Sequence, residues 1–123
     1  MSKLLISIKP KYVEEILLGH KKFEFRKTKC NRPVSSMFIY STAPVKKIIA
    51  EVEILGIWID TPAALWEKTS YAAGINKEEY DRYFNHCTHA VAYCLGRKKF
   101  FNPGLPLAAF GLSRPPQSYC YVD

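Results

Sequence analysis

At Gly19 the spacing of apolar residues changes, and that change limits what the chain can fold into. Before it, Tyr12, Val13, Ile16 and Leu17 recur at the spacing of an amphipathic helix, with Glu14 and Glu15 outward. After it, Phe23 and Phe25 alternate with Lys22, Glu24 and Arg26, the period of a strand with one apolar and one charged face. Pro10 suits the first position of the helix and Gly19 its stop. Leu4 to Ile8, ahead of Lys9-Pro10, reads as a short buried strand. Strand, helix and charged strand thus follow one another directly.

The rest of the chain keeps this mixture. Ser35 to Tyr40 forms a third strand that ends at Ser41-Thr42 and Ala43-Pro44. Val45 to Asp60 is long and β-branched, with Glu51 and Glu53 on one face and Gly56 marking a bulge that curves the sheet. Thr61-Pro62 opens a short helix through Glu67, and Asn76-Lys77-Glu78-Glu79 has the form of a capping box ahead of Tyr80, Tyr83 and Phe84. Ala90 to Leu95 is a core strand, followed by a basic turn or strand edge at Gly96-Arg97-Lys98-Lys99. Asn102 to Pro116 reads as mostly loop with one helical turn, and Tyr119 to Val122 closes as a strand. About six strands and three to four short helices without regular βαβ alternation predict an α+β fold, a mixed sheet closing toward a barrel. Its expected core is Leu4, Ile6, Phe23, Phe25, Ile39, Ile49, Val52, Val91 and Tyr93. The 123 residues suit one domain, residues 1–123.

Charge narrows the function classes. The net charge is +7, and residues 1–32 hold nine Lys/Arg against three Glu, so almost all the excess is local. Such a patch attracts polyanions, which puts phosphate-bearing partners first. No apolar run approaches the roughly 18 residues of a membrane span, and the N-terminus is too interrupted for a signal peptide, so a cytoplasmic, non-membrane protein is expected. Cys30, Cys87, Cys94 and Cys120 are scattered without a C-x-x-C pair, which gives little support to disulfides.

The chemistry concentrates in Gly19-His20-Lys21-Lys22-Phe23-Glu24-Phe25-Arg26. Read as G-x-K-x-x-E-x-R, this segment matches without gaps the signature of ASCH domains, small β-barrels of the PUA-like superfamily. The resemblance extends to the opening Leu-Leu-Ile-Ser-Ile-Lys-Pro and its helix, to Ile-Tyr-Ser-Thr-Ala-Pro-Val, to the long Ile-Ile-Ala-Glu-Val-Glu-Ile strand, and to the closing Pro-Pro-Gln-Ser-Tyr-Cys-Tyr-Val. The chain is identified as a small stand-alone member of phage or bacterial type.

Independently of any family, Lys22, Glu24 and Arg26 on a strand project to one face, where Arg26 can anchor a phosphate and Glu24 can orient a donor on a base or sugar. Lys21 points the other way in an ideal strand, but just after Gly19 it can turn to the mouth of the barrel. The competing reading is a solvated ladder of surface salt bridges. The resemblance implies a basic cleft that binds RNA or single-stranded nucleic acid, in a regulatory capacity, through Lys21, Lys22, Glu24 and Arg26. Tyr40 is a candidate for stacking a base, and Ser41 and Thr42 for polar contacts beside it. Trp66, Tyr93, Tyr119 and Tyr121 are further stacking candidates.

The alternative is a hydrolase. Ribonuclease activity is associated with some ASCH proteins, and the enzymatic members this chain most resembles are small amidohydrolases that deacetylate acetylcytidine and similar nucleosides. The latter pair the motif Lys with a Thr where this chain has Glu24, and with a carboxylate sought here around residues 70–76, where there is none. An enzyme would therefore rely on Lys21 and Glu24, with Glu67 substituting downstream. A carboxylate cannot replace a hydroxyl nucleophile, so the binding module is the preferred reading. His86-Cys87-Thr88-His89 fits no standard zinc spacing, and neither metal nor cofactor is expected.

Overall fold

The computed structural model describes residues 1–122. The elements are β1 (Ser2–Ile8), α1 (Pro10–Leu17), β2 (Phe23–Arg26), β3 (Val34–Ser41), β4 (Lys47–Asp60), α2 (Pro62–Thr69), α3 (Lys77–Tyr83), β5 (Ala90–Leu105) and β6 (Tyr119–Val122), with 3-10 turns at Ser70–Ala72 and Leu107–Phe110. Together these form an α+β fold built on a six-stranded sheet of order β2-β5-β4-β3-β1-β6. Among the described residues only the β1–β3 pair is parallel. The sheet curls until its two edges approach each other, and one side chain of β2 reaches across to β1 and to the segment entering β6.

Local chemistry sets the boundaries. Pro10 starts α1, and Gly19 ends it with a φ of +85°. The Gly19 N–H donates to the Ile16 carbonyl and the His20 N–H to the Glu15 carbonyl, the paired bonds of a left-handed helix stop. The Asn76 side chain accepts from the Glu79 N–H and so caps α3, as the capping-box form predicts.

Strand parity divides the apolar residues into three groups. Leu4, Ile6, Met37, Ile39, Ala50, Val52, Val91, Tyr93 and Leu95 face inward beneath Val13 and Ile16 of α1. Phe23 and Phe25 are buried in a different cluster, outside the sheet and under α2 and α3, with Leu65, Tyr80 and Phe84. On the remaining face Leu5, Tyr40 and Ile48 lie beneath Phe101, Leu107 and Phe110.

Three sequence expectations change. Phe23 and Phe25 belong to the helix-covered cluster rather than to the barrel interior, because the helices claim the apolar face of β2. Ile49 is only partly buried, and its neighbours Ile48 and Ala50 fill the core positions, each on its own side of the strand. β5 does not end at Leu95. It continues through the basic residues to Leu105, because long β4 offers partners throughout, with Glu51 opposite Lys99 and Ile48 opposite Leu105. Cross-strand opposite charges hold what the sequence alone presents as a turn.

Candidate functional site

The site follows from the parity of β2. Glu24 pairs in register with Tyr93 and Arg26 with Val91, and both partners face the barrel interior. Directly opposed residues share a face, so Glu24 and Arg26 also point inward, at the seam between the sheet edges. A carboxylate and a guanidinium placed there must be fully paired to be tolerated. They are. Glu24 Oε2 accepts from Arg26 Nε at 3.0 Å and lies 2.9 Å from Nη2. Arg26 Nη2 also donates to the Ser7 carbonyl at 2.8 Å, and Nη1 donates to Ser118 Oγ at 3.1 Å. Among the described residues no buried side-chain nitrogen or oxygen lacks a partner.

Lys21 enters from the helix stop. Its N–H joins that of His20 on the Glu15 carbonyl, which turns its side chain inward until it is 3% exposed. The Nζ donates to the Ala73 carbonyl at 2.8 Å and lies 4.8 Å from the Phe25 ring centre and 5.5 Å from that of Tyr12. Burial pushes the Lys21 pKa below the ordinary lysine value of 10.5, against the opposing pull of Glu24. Gly74 makes room for this stem. It has a φ of +64°, and a methyl group on it would stand 2.3 Å from Lys21 Cβ.

Helices α1 and α3 supply the opposite wall. Glu79 accepts from Lys11 Nζ at 2.9 Å and from the Tyr12 hydroxyl, and these bonds hold its carboxyl below the usual range. Burial, reinforced by the bond to Glu79, raises the Tyr12 phenol. The cleft between these walls measures about 420 Å³. Five cationic side chains line it (Lys9, Lys11, Lys21, Arg26 and Arg82), with two carboxylates (Glu24 and Glu79) and the rings of Tyr12, Phe25 and Tyr83.

The structure therefore gathers Lys21, Glu24 and Arg26. Lys21 lies deep in the cleft rather than at a mouth. Lys22 is exposed just before β2 and does not line it. Tyr40, Ser41 and Thr42 do not line it either. Tyr40 packs with Leu5 and Ile48 on the far face, Ser41 is buried, and the Thr42 N–H donates to the Ile8 carbonyl. Glu67 is exposed on α2, away from the cleft. The downstream carboxylate in the cleft is instead Glu79. Its role as a cap was legible, but capping needs only its backbone N–H, and the Asn76 amide takes only Oε1, leaving Oε2 for Tyr12 and Lys11. Trp66, Tyr93 and Tyr121 are engaged elsewhere, packing on Tyr80 or accepting N–H donors of Cys30 and Asn31. Among the described residues no group of His, Cys, Asp and Glu is arranged to hold a metal, and no helix is long and apolar enough to cross a membrane.

Comparison with known proteins adds a lineage to this geometry. The sequence model of the ASCH domain matches residues 6–99. An ASCH domain-containing ribonuclease of Zymomonas mobilis is 29% identical over 92 residues, which cover 74% of this chain and 62% of that protein. A large ribosomal subunit protein uL22 of Ureaplasma parvum is 27% identical over 121 residues, 97% of this chain but 39% of the relative. An ATP synthase subunit alpha of the same species is 29% identical over 97% of this chain, which spans only 15% of that protein. The crystal structure of ASCH from Zymomonas mobilis superposes with a TM-score of 0.89 at 25% identity, covering 98% of this chain and 87% of the other. A point mutant of that protein gives 0.90 at 24% identity, covering 100% and 91%.

Proposed function

The chain belongs to the ASCH domain family, and from that membership we propose that it is an RNA-binding module acting in the cytoplasm, with residues 1–123 as one domain. A single-stranded segment sits in the cleft at the sheet seam. The observation that carries this reading is the excess of cations, five against two carboxylates, in a cleft of about 420 Å³ with aromatic walls. That volume falls within the range of small-molecule sites and admits about one nucleotide. Arg26, held in plane by Glu24, offers its remaining Nη1 N–H and its charge to a phosphate oxygen, and Lys9, Lys11 and Arg82 follow the backbone. Lys22, exposed beside β2, adds charge at the rim. Glu24 and Glu79 are acceptors for base or sugar donors.

One relative points the same way, by its name as an ASCH domain-containing ribonuclease. Titration of labelled RNA against wild type and Arg26→Ala at two salt concentrations tests the reading. Binding should weaken steeply with salt, because phosphate neutralisation releases counterions, and should collapse in the variant. Equal binding by both proteins, or a flat salt response, removes the basis for it.

Hydrolysis is a second reading, favoured by Lys21. An amine whose proton is loosened by burial, with Glu24 and Glu79 on the same cleft, has the makings of an acid–base pair. In ribonuclease form, Lys21 exchanges the proton of the attacking or leaving oxygen while Arg26 neutralises the phosphate. In the acetylcytidine form, Glu79 rather than Glu67 is the downstream carboxylate, and the missing hydroxyl at position 24 weighs against it. Incubation with mixed RNA and with acetylcytidine, compared with Lys21→Ala, decides. Turnover abolished in the variant establishes an enzyme, and binding without turnover leaves the module.

A further inference from the structure

Past the cleft, the outward face of β2 continues as a row of rings. Phe25, which lines the cleft, stacks on Phe23 at 6.4 Å and 27°. Phe23 is buried beneath two further rings, Trp58 at 5.4 Å and Tyr71 edge-on at 5.8 Å. Those two remain 42% and 74% exposed. Register explains how Trp58 arrives here. It pairs with Ala92, which pairs with Phe25, so the indole shares the phenylalanines' face. Gly56 pairs with Cys94, the partner of Phe23, and a methyl group on it would meet no atom within 4 Å, so the space beside this row is open.

The hydrogen-bonding handles of these rings are also idle. The hydroxyls of Tyr12, Tyr80, Tyr93 and Tyr121 are all engaged. Among the described residues neither the Trp58 indole N–H nor the Tyr71 hydroxyl has a partner. A cation stands beside them, because the exposed Lys22 donates its N–H to the carbonyl of Ala72, the residue after Tyr71.

Large flat rings with free faces, next to a cation and joined to a cation-lined cleft through the buried rings of Phe23 and Phe25, suit an unpaired base better than an aliphatic protein surface. The geometry points to a stacking platform, formed by Trp58 and Tyr71 over Phe23, for an unpaired base of a single-stranded RNA whose phosphate occupies the cleft. The platform rests on the RNA-binding reading. Because every base has a π-face, it adds affinity and length preference rather than sequence choice.

The chain has two tryptophans, so Trp66→Phe leaves Trp58 as the reporter. The probes are uridine 3′-monophosphate, which fills the cleft alone, and an oligouridylate of about ten nucleotides, within the range of single-strand site sizes. The longer RNA should quench Trp58 emission. Trp58→Ala should weaken its binding roughly ten- to a hundredfold while leaving binding of the mononucleotide unchanged. Tyr71→Ala should act in the same direction, and Trp58→Phe, which keeps a ring on Phe23, should stay within a few-fold of wild type.

Unchanged emission at saturation, or equal affinity of wild type and both alanine variants for the longer RNA, overturns the platform. So does a shift from dimer to monomer in Trp58→Ala at constant RNA affinity, which assigns the surface to a protein contact. Loss of binding in Arg26→Ala but not in Trp58→Ala removes the platform alone. No binding by wild type removes both readings.

Discussion

Two sets of alternating charges in this chain look alike in sequence and differ in depth. One is the cleft group of Lys21, Glu24 and Arg26. The other sets Glu51 and Glu53 of β4 against Arg97 and Lys99 of β5. The second is a solvated ladder. Lys3 Nζ reaches Glu51 at 2.8 Å, and Arg97 Nε stands 3.7 Å from Glu53 with its side chain 92% exposed. In the first, the Arg26 and Glu24 side chains are 16% and 8% exposed. What separates them is the claim on the opposite face. β4 and β5 are central strands whose small and apolar residues, Ala50 and Val52 among them, fill the barrel, so their charges turn outward. β2 is an edge strand whose phenylalanines are claimed by α2 and α3, so its charges turn inward to the seam. The same alternation yields a surface in one place and a site in the other.

The sharpest way to break this contrast is to remove the guanidinium. Arg26→Ala leaves the Glu24 carboxylate without its partner in a closed place and cuts the links to Ser7 and Ser118 across the seam. A loss of about 3–5 kcal/mol is expected in urea denaturation, because the remaining charge is buried and uncompensated. Arg26→Lys restores the charge but not the planar fork, and should recover only part of it. A loss in Arg26→Ala no greater than that of a surface pair would place this group with the ladder.

Next in size is Gly74→Ala. The position combines a left-handed φ of +64° with a contact of 2.3 Å to Lys21 Cβ. Both effects oppose a side chain, and a loss of about 2 kcal/mol is expected by thermal or urea unfolding. Shortening Lys21 does not relieve the clash, since the nearest atom is its Cβ. The backbone of one segment must move, and RNA binding should fall with it.

The contrast also explains what the sequence could carry. The period change at Gly19, the order of strands and helices, and the ASCH motif were all legible, because each is written in local spacing. The depth of Lys21 was not. It depends on Gly74, which lies more than fifty positions away and reads as an ordinary loop glycine. Glu79 was legible as a helix-cap residue, and its second role exists only because α1 brings Tyr12 and Lys11 against α3. Tyr40, Ser41 and Thr42 follow the same logic in reverse. They sit beside the motif's neighbours in sequence, yet the parity that sends Ile39 inward sends Tyr40 to the far face. A strand shows its alternation in sequence, but which face meets the barrel is decided by other elements.

A finer test uses pH. The pKa of Lys21 is lowered by burial, so between that lowered value and the ordinary 10.5 the folded chain binds fewer protons than the unfolded one. Stability rises with pH across such a window. Urea denaturation of wild type and Lys21→Met at neutral pH and near pH 10 should show the difference moving in favour of wild type as pH increases. RNA affinity should move the opposite way, falling as the ammonium is lost. A difference in stability that stays constant with pH means that Lys21 titrates as it does in the unfolded chain and is not held deep.

The smallest effect belongs to the ladder, and it is the control on which the comparison depends. Arg97→Ala removes the partner of Glu53, but the arginine side chain is 92% exposed and that carboxylate 40%, so water replaces the contact. Exposed pairs of this kind contribute little, and many contribute nothing measurable. Glu53 also accepts from the Arg97 backbone N–H at 3.3 Å, a bond the substitution leaves in place. The melting temperature of Arg97→Ala should therefore match wild type. RNA affinity at moderate salt should hardly change, because the ladder faces away from the seam. A large loss in either measurement would mean that the outer charges belong to the functional surface, and the distinction drawn from depth would fail.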